Sequence, residues 1–264
     1  MKEETEKFLV LQLTEQGTGK IEDTVVREFP LTIFLNNKEL VTLLCSPADL
    51  KYLVVGFLLS EGLVKGKGDI KKIIVDDQRG VVRVETKEEK EFANELIFKR
   101  FITSGCGRGT SFYSAADVQG QAKIESQIKI SALEVFSLVK VFQHYSQLYR
   151  ITGGVHSAAL CDTTNILVFA DDIGRHNAID KIFGQCILKD IPANDRIVLS
   201  SGRISSEILL KVAKKNIPII ISKSVSTNLA VRLANDLGIT LIGSVRGKKI
   251  KAYTNDWRIV TDGG

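Results

Sequence analysis

The sequence predicts an α/β chain, α+β overall. A β-rich α+β N-terminal domain over residues 1–125 is followed by a C-terminal domain over 126–264, where helices cover both faces of a sheet. Three observations lead there. Residues 8–85 are mostly short β-type stretches around one amphipathic helix. Residues 111–130 are largely small and polar, which reads as a linker. From residue 155 onward strand and helix patterns alternate, the order that gives parallel strands between helical layers.

Taken in order, residues 8–13 (Phe8-Leu9-Val10-Leu11-Gln12-Leu13) and 31–35 read as strands. Asn36-Asn37 is a turn signal leading into a strand at 39–44. Ser46-Pro47 then opens a helix, with Ser46 as N-cap and Pro47 at the first helical position. Leu50, Leu53, Val54, Phe57 and Leu58 share one face of it, and Gly62 marks its end. Residues 70–75 and 81–85 form a further hairpin, and Lys87-Glu88-Glu89-Lys90-Glu91 is a solvated charge run. Ser131-Ala132-Leu133-Glu134 is a capping box, starting a helix through Val135, Leu138, Val139 and Phe142 to about Tyr149. Residues 155–161 and 165–170 make an antiparallel hairpin. Helices at 177–188, 205–215 and 226–237 then alternate with strands at 196–200, 217–221 and 239–242.

With 264 residues, 44% hydrophobic and 25% charged, the composition is that of a globular protein. No apolar run approaches the roughly 18 residues of a membrane span. The charged start, Met1-Lys2-Glu3-Glu4-Thr5-Glu6-Lys7, has no signal-peptide core, so a cytoplasmic protein is expected. The net charge of +5 is a mild bias towards anionic ligands, without the basic-aromatic interleaving of nucleic-acid binders.

Chemistry concentrates in two places. The first is Thr103-Ser104-Gly105-Cys106-Gly107-Arg108-Gly109-Thr110. Its glycines keep side chains off the sulfur, and Arg108 favours the nucleophilic thiolate of Cys106. Cys45, Cys161 and Cys186 sit among apolar neighbours and read as core residues. The cysteines and the three histidines never fall at zinc-ligand spacing, so no catalytic metal of the protein's own is expected. Asp171-Asp172 could hold Mg²⁺ with substrate phosphates, or simply end a strand.

The second place is the carboxyl edge of the alternating strands, where ligands of open α/β sheets bind. Four loops converge there: Arg175-His176 after Asp171-Asp172-Ile173-Gly174; Ser201-Gly202-Arg203; Ser222-Lys223-Ser224; and Ser244-Val245-Arg246-Gly247-Lys248-Lys249. All four carry a cation, and the first three lead into helix N-termini, which attract anions. Together they favour a phosphate-bearing ligand. None is a P-loop or a G-x-G-x-x-G fingerprint, so the ligand class stays open. His176 and His156 could place a phosphate, move a proton, or bond a backbone carbonyl, whereas His144 lies within a helix.

Asp172-Ile173-Gly174-Arg175-His176-Asn177-Ala178-Ile179-Asp180-Lys181 resembles the signature block of the FdhD family, the sulfur carriers that mature formate dehydrogenase. The likeness extends through Thr152-Gly153-Gly154-Val155-His156, Ser201-Gly202-Arg203-Ile204-Ser205-Ser206-Glu207 and Arg246-Gly247. In the N-terminal half it includes Glu28-Phe29-Pro30-Leu31 and Gly56-Phe57-Leu58-Leu59-Ser60-Glu61-Gly62.

The resemblance implies a sulfurtransferase that takes persulfide sulfur from a cysteine desulfurase onto Cys106. The sulfur then passes to the bis-molybdopterin guanine dinucleotide cofactor of molybdenum or tungsten, before that cofactor enters the catalytic subunit of formate dehydrogenase. It implies cofactor contacts at residues 244–249, a homodimer, and a three-layer C-terminal domain like cytidine deaminase. The zinc signature is missing, since Arg175-His176-Asn177 stands where a deaminase has H-x-E. Gly109 stands where many members carry a second cysteine. One thiolate would then act alone, which persulfide exchange permits. A chaperone that holds the cofactor without moving sulfur is the alternative.

Overall fold

A computed structural model describes residues 3–88, 122–247 and 249–261. The Cys106 loop, with Arg108 and Gly109, and Lys248 lie outside the described residues.

The chain opens with a hairpin, β1 (Thr5–Thr14) and β2 (Gly17–Val26), which forms a two-stranded sheet of its own. Sequence reading finds only the first strand. β2 shows no apolar alternation because most of its residues are exposed on both faces.

β3 (Phe29–Leu35) and β4 (Lys38–Cys45) turn through Asn36 and Asn37, with φ of 49° and 64°. Asparagine tolerates that left-handed conformation, which matches the twist of a tight hairpin. With β5 (Ile70–Asp76) and β6 (Val81–Thr86) they make a sheet of order β4-β3-β6-β5.

Helix α1 (Leu50–Ser60) packs against this sheet. It starts later than the Ser46-Pro47 signal suggests, with Asp49 as N-cap at a φ of 59°. Ser46 is diverted to the other half of the molecule: its N–H donates to Asp172 Oδ2 at 3.1 Å, and its Oγ accepts from the Ile173 N–H at 3.1 Å. A long-range hydrogen bond has displaced a local one.

After residue 122 the chain is pinned rather than free. Arg258 is fully buried and donates to the carbonyls of Ile124 (3.2 Å), Ser126 (3.1 Å) and Gly238 (2.7 Å). β7 (Ile130–Ser131) pairs in parallel with β14 (Ile259–Val260). The capping box is present at the start of α2 (Ala132–Tyr145): the Ser131 N–H donates to Glu134 Oε2 at 2.7 Å, and the Glu134 N–H to Ser131 Oγ at 3.2 Å. The helix expected to reach Tyr149 breaks at Ser146, which caps a second helix, α3 (Gln147–Thr152).

The larger sheet has the order β13-β12-β11-β10-β8-β9. Its strands are β8 (His156–Cys161), β9 (Ile166–Asp172), β10 (Ile197–Ser200), β11 (Ile219–Ser222), β12 (Thr240–Arg246) and β13 (Lys249–Thr254). β10, β11 and β12 run parallel, and the remaining pairs are antiparallel. Helices α4 (Arg175–Leu188), α5 (Ser206–Ala213) and α6 (Asn228–Asp236) bury one face through Ile179, Phe183, Ile208 and Leu233. α2 covers the other through Leu138 and Phe142. The three-layer arrangement follows, in a mixed α+β chain.

The two sheets are joined helix to helix. α1 crosses α4 so closely that a Cβ on Gly56 would lie 1.8 Å from the Asp180 carbonyl oxygen. One on Gly184 would lie 1.9 Å from the Tyr52 carbonyl oxygen. Among the described residues no helix is long and apolar enough to cross a membrane.

Candidate anion-binding cleft

The loops after β9, β10 and β11 meet at the carboxyl edge of the sheet, beside a cleft of about 330 Å³. Its walls include Tyr149, Gly154, His156, Ile173, Ser201 and Lys223. The loops are stitched together by short bonds. The Gly202 carbonyl accepts from Ser222 Oγ at 2.8 Å, and the Lys223 N–H donates to the Ser200 carbonyl at 3.3 Å. Residues β10 to β11 therefore hold Ser201 and Lys223 on one rigid edge.

Arg175 is the first residue of α4, where free N–H groups add to its positive charge. It packs against Gly202, whose Cβ, if it had one, would lie 3.0 Å from Arg175 Cβ and 3.4 Å from His156 Nδ1. The Arg175 Nε is buried without a hydrogen-bond partner. A buried guanidinium donor left unpaired is costly, so this atom is suited to an acceptor brought by a ligand.

His156 Nδ1 lies 3.4 Å from Ser201 Oγ, which also accepts the Ser157 N–H at 2.9 Å. Burial lowers the His156 pKa, and the Arg175 and Arg203 charges lower it further against the opposing pull of Asp172. His176 is pushed down to about 3, first by burial and then by Lys211, Arg175 and His156. Its Nε2 sits 3.4 Å from Glu207 Oε2. Both imidazoles are neutral at physiological pH, so the positive field comes from the arginines and lysines.

The fourth loop differs from the sequence expectation. β12 extends to Arg246 and turns through Gly247 (φ 56°) into β13, a strand the sequence pattern does not reveal. Ser244 takes a φ of 55° at a bulge, and its N–H donates to the Ser224 carbonyl at 2.9 Å, tying this hairpin to the third loop. Val245 points into the core under α2. Arg246 and Lys249 face each other at the exposed hairpin end. Of the expected contact residues, only Ser201 and Lys223 line the cleft itself; Arg175, His176, Arg203, Arg246 and Lys249 lie outside its walls.

The two adjacent aspartates bind protein groups. Asp171 accepts from Ser146 Oγ and Ser157 Oγ, each at 2.6 Å, and burial raises its pKa. Asp172 is wholly buried. Its carboxylate takes the Lys181 ammonium at 2.8 Å, the Asn177 amide at 2.8 Å and the Gly174 N–H at 2.9 Å, besides the Ser46 N–H.

Asn177 also donates to the Leu44 carbonyl at 2.9 Å. Asp180 accepts from Ser60 Oγ at 2.6 Å and pairs with Lys211. Four residues of the Asp172–Lys181 block thus dock the two sheets, a role the sequence reading misses. The available signal was Asn177 and Lys181 lying four apart on one helix face, with Asp172 just upstream.

Cys45, Cys161 and Cys186 are all buried, as their apolar neighbours suggested. Burial pushes their thiols up to about 12, 12 and 11 respectively. None is a thiolate at neutral pH. Among the described residues no three His, Cys, Asp or Glu side chains group as a metal site.

The FdhD/NarQ family model matches residues 26–260. Two curated relatives are named sulfur carrier protein FdhD. The one from Bacillus pumilus is 48% identical over 90% of this chain and 90% of its own. The one from Bacillus subtilis is 46% identical over 93% and 94%. A crystal structure of a putative formate dehydrogenase accessory protein from Desulfotalea psychrophila superposes with a TM-score of 0.80 at 25% identity, covering 97% of this chain and 99% of that one.

Proposed function

The chain belongs to the FdhD/NarQ family, and from that premise we propose that it is a sulfur carrier serving formate dehydrogenase maturation. Cys106 is the persulfide carrier. The observation that supports this most directly is the state of the other thiols: Cys45, Cys161 and Cys186 are buried and held protonated, so none can serve as nucleophile.

In the proposed loading step the Cys106 thiolate attacks the outer sulfur of a cysteine desulfurase persulfide. The S–S bond there breaks, the desulfurase cysteine leaves as thiolate, and Cys106 gains one sulfur. Arg108, two residues on, favours the thiolate. The outer sulfur then passes to the substrate, the bis-molybdopterin guanine dinucleotide cofactor of molybdenum or tungsten destined for the formate dehydrogenase catalytic subunit: the Cys106 S–S bond breaks, Cys106 leaves as thiolate, and the acceptor, a reduced metal centre, would supply the electron pair that makes the sulfur a sulfide.

Arg175, Arg203 and Lys223 are the proposed phosphate contacts of that substrate, with Ser201 and His176 at the same edge. The unpaired Arg175 Nε and the close Gly202 backbone support this assignment. Arg246, Gly247 and Lys249 form a second, exposed contact group on the adjoining hairpin, with Ser244 half-buried and Val245 in the core; Lys248 is assigned to the same group from the sequence alone.

The test is intact mass spectrometry after incubation with a cysteine desulfurase and cysteine. One reductant-labile sulfur on the parent chain and none on Cys106→Ala is expected. No adduct beside a demonstrably active desulfurase would favour a chaperone that only holds the cofactor.

A further inference from the structure

One wall of the cleft has a polarity that a phosphate cannot use. Ser146, the cap of α3, and Ser157, near the start of β8, both line it, and they are only 3% and 6% exposed. Each hydroxyl donates to its own oxygen of Asp171, Ser146 to Oδ2 and Ser157 to Oδ1, both at 2.6 Å. That length belongs to an O–H donated to an ionised carboxylate, a group that can only accept. Asp171 itself stands off the cleft walls, its carbonyl held by Lys181 Nζ at 2.9 Å.

Both hydroxyl hydrogens are thus committed to Asp171, and lone pairs remain for the cleft. Ser146 Oγ fills one of them with the Tyr149 N–H at 2.8 Å. Ser157 Oγ accepts nothing among the described residues, a buried acceptor awaiting a donor.

The other end of the cleft has the opposite character. Ser201 Oγ already accepts the Ser157 N–H at 2.9 Å, which leaves its own hydrogen for His156 Nδ1, 3.4 Å away, or for a ligand. Lys223 adds an ammonium beside it. An ionised phosphate has no hydrogen to donate, so it suits Lys223 and is repelled by the Ser146–Ser157 wall with the Asp171 charge behind it. Within the cofactor proposed above as substrate, a ring N–H beside an exocyclic amine occurs in one unit, the 2-amino-4-oxopyrimidine ring shared by guanine and pterin. Phe142 and Tyr149 in the walls, and a volume of about 330 Å³, accommodate such a planar ring.

We propose that Ser157 and Ser146, oriented by Asp171, read the donor edge of a 2-amino-4-oxopyrimidine ring, with the phosphate end of the same ligand towards Lys223. Ser157 is the specificity-determining contact, and Asp171 is a positioning residue that acts through the two hydroxyls. This rests on the cofactor-binding reading of the cleft and adds which part of the cofactor lies against which wall.

The test is calorimetric titration of the full chain with two ligand pairs. Guanosine diphosphate is set against inosine diphosphate, which lacks the 2-amino group, and pterin against lumazine, in which that amine is replaced by oxygen. The parent should prefer the amine-bearing member of one pair by about tenfold, the scale of one buried hydrogen bond. Preference within the first pair places guanine on this wall, and preference within the second places the pterin there. Ser157→Ala should shrink the ratio to within about threefold while moving the affinity of the amine-free ligand less than about twofold. Asp171→Asn turns an amide N–H towards one hydroxyl, which then keeps its hydrogen for the cleft, and should shrink the ratio as well.

Retained circular dichroism shows that both variants fold, and a merely structural role would weaken both members of a pair alike. A parent without preference in either pair, or a ratio unmoved in Ser157→Ala, would overturn the proposal and leave the cofactor-binding reading standing. A parent that binds none of the four ligands would remove that reading from the cleft, and this proposal with it, without touching sulfur loading on Cys106.

Discussion

Arg175 occupies a demanding position. It begins a 14-residue helix, packs against Gly202, where a Cβ would lie a tight 3.0 Å from its own, and keeps Nε buried and unpaired. Its charge also helps to hold His156 and His176 neutral. If the cleft takes the diphosphate of a guanine dinucleotide, Arg175→Ala should weaken guanosine diphosphate binding by about tenfold or more, the scale of one charge-assisted hydrogen bond. Calorimetric titration at two salt concentrations would measure it, with affinity falling as salt rises. An affinity unchanged by the substitution would remove Arg175 from the contact set. Asp172 makes the opposite case: its bonds are all internal, and losing it would strand the buried Lys181 ammonium at a cost of about 3–5 kcal/mol.

Among the elements, the crossing of α1 and α4 sets where the cleft sits relative to the N-terminal sheet. The helices approach through Gly56 and Gly184, and polar bonds from Ser46, Ser60 and Lys214 flank the contact. Gly56→Ala would force the backbones apart, because the nearest obstacle is the Asp180 carbonyl rather than a movable side chain. The expected loss is about 3 kcal/mol, read from the denaturant midpoint. Gly66→Ala is the control: it has open space around its Cβ position and extended backbone, and should change stability by less than about 0.5 kcal/mol. Equal effects at both positions would refute close helix packing as the cause.

For the molecule as a whole, the buried neutral histidines predict an acid-sensitive fold. His176 has a folded pKa of about 3, well below the unfolded value of 6.5, and His156 is lowered too. Between those values the unfolded chain binds the extra protons, so stability is full above about pH 6.5 and falls as pH drops towards 3. Each unit of pH costs up to about 1.4 kcal/mol per histidine. Asp171, raised above 3.8, works in the opposite sense, gaining stability as pH falls through its own folded value. Urea unfolding between pH 7 and 5.5 should therefore show a declining midpoint, and His176→Gln should flatten that decline. A midpoint independent of pH across this window would show that neither imidazole is buried neutral.

Much of this was legible in the chain alone, and the division has a physical basis. Elements with local signals could be read directly from the residues: the Asn36-Asn37 turn, the Ser131–Glu134 capping box, and the strand-helix alternation that brings the loops of Arg175, Arg203 and Lys223 to one edge. The sequence also separated the apolar settings of Cys45, Cys161 and Cys186 from the glycine-rich one of Cys106. The tertiary structure alone decided what depends on distant partners. β2 and β13 carry no buried face of regular period, so no pattern announces them. Ser46 prefers Asp172, 126 residues away, to capping its own helix. Arg246 is exposed on a strand because β13 exists to pair with β12. The Asp172–Lys181 block reads as a single motif, but folding divides it: Arg175 packs against Gly202 and His176 against Glu207, while Asp172, Asn177, Asp180 and Lys181 are buried where the two sheets meet, because a buried charge must be paired across whatever interface encloses it.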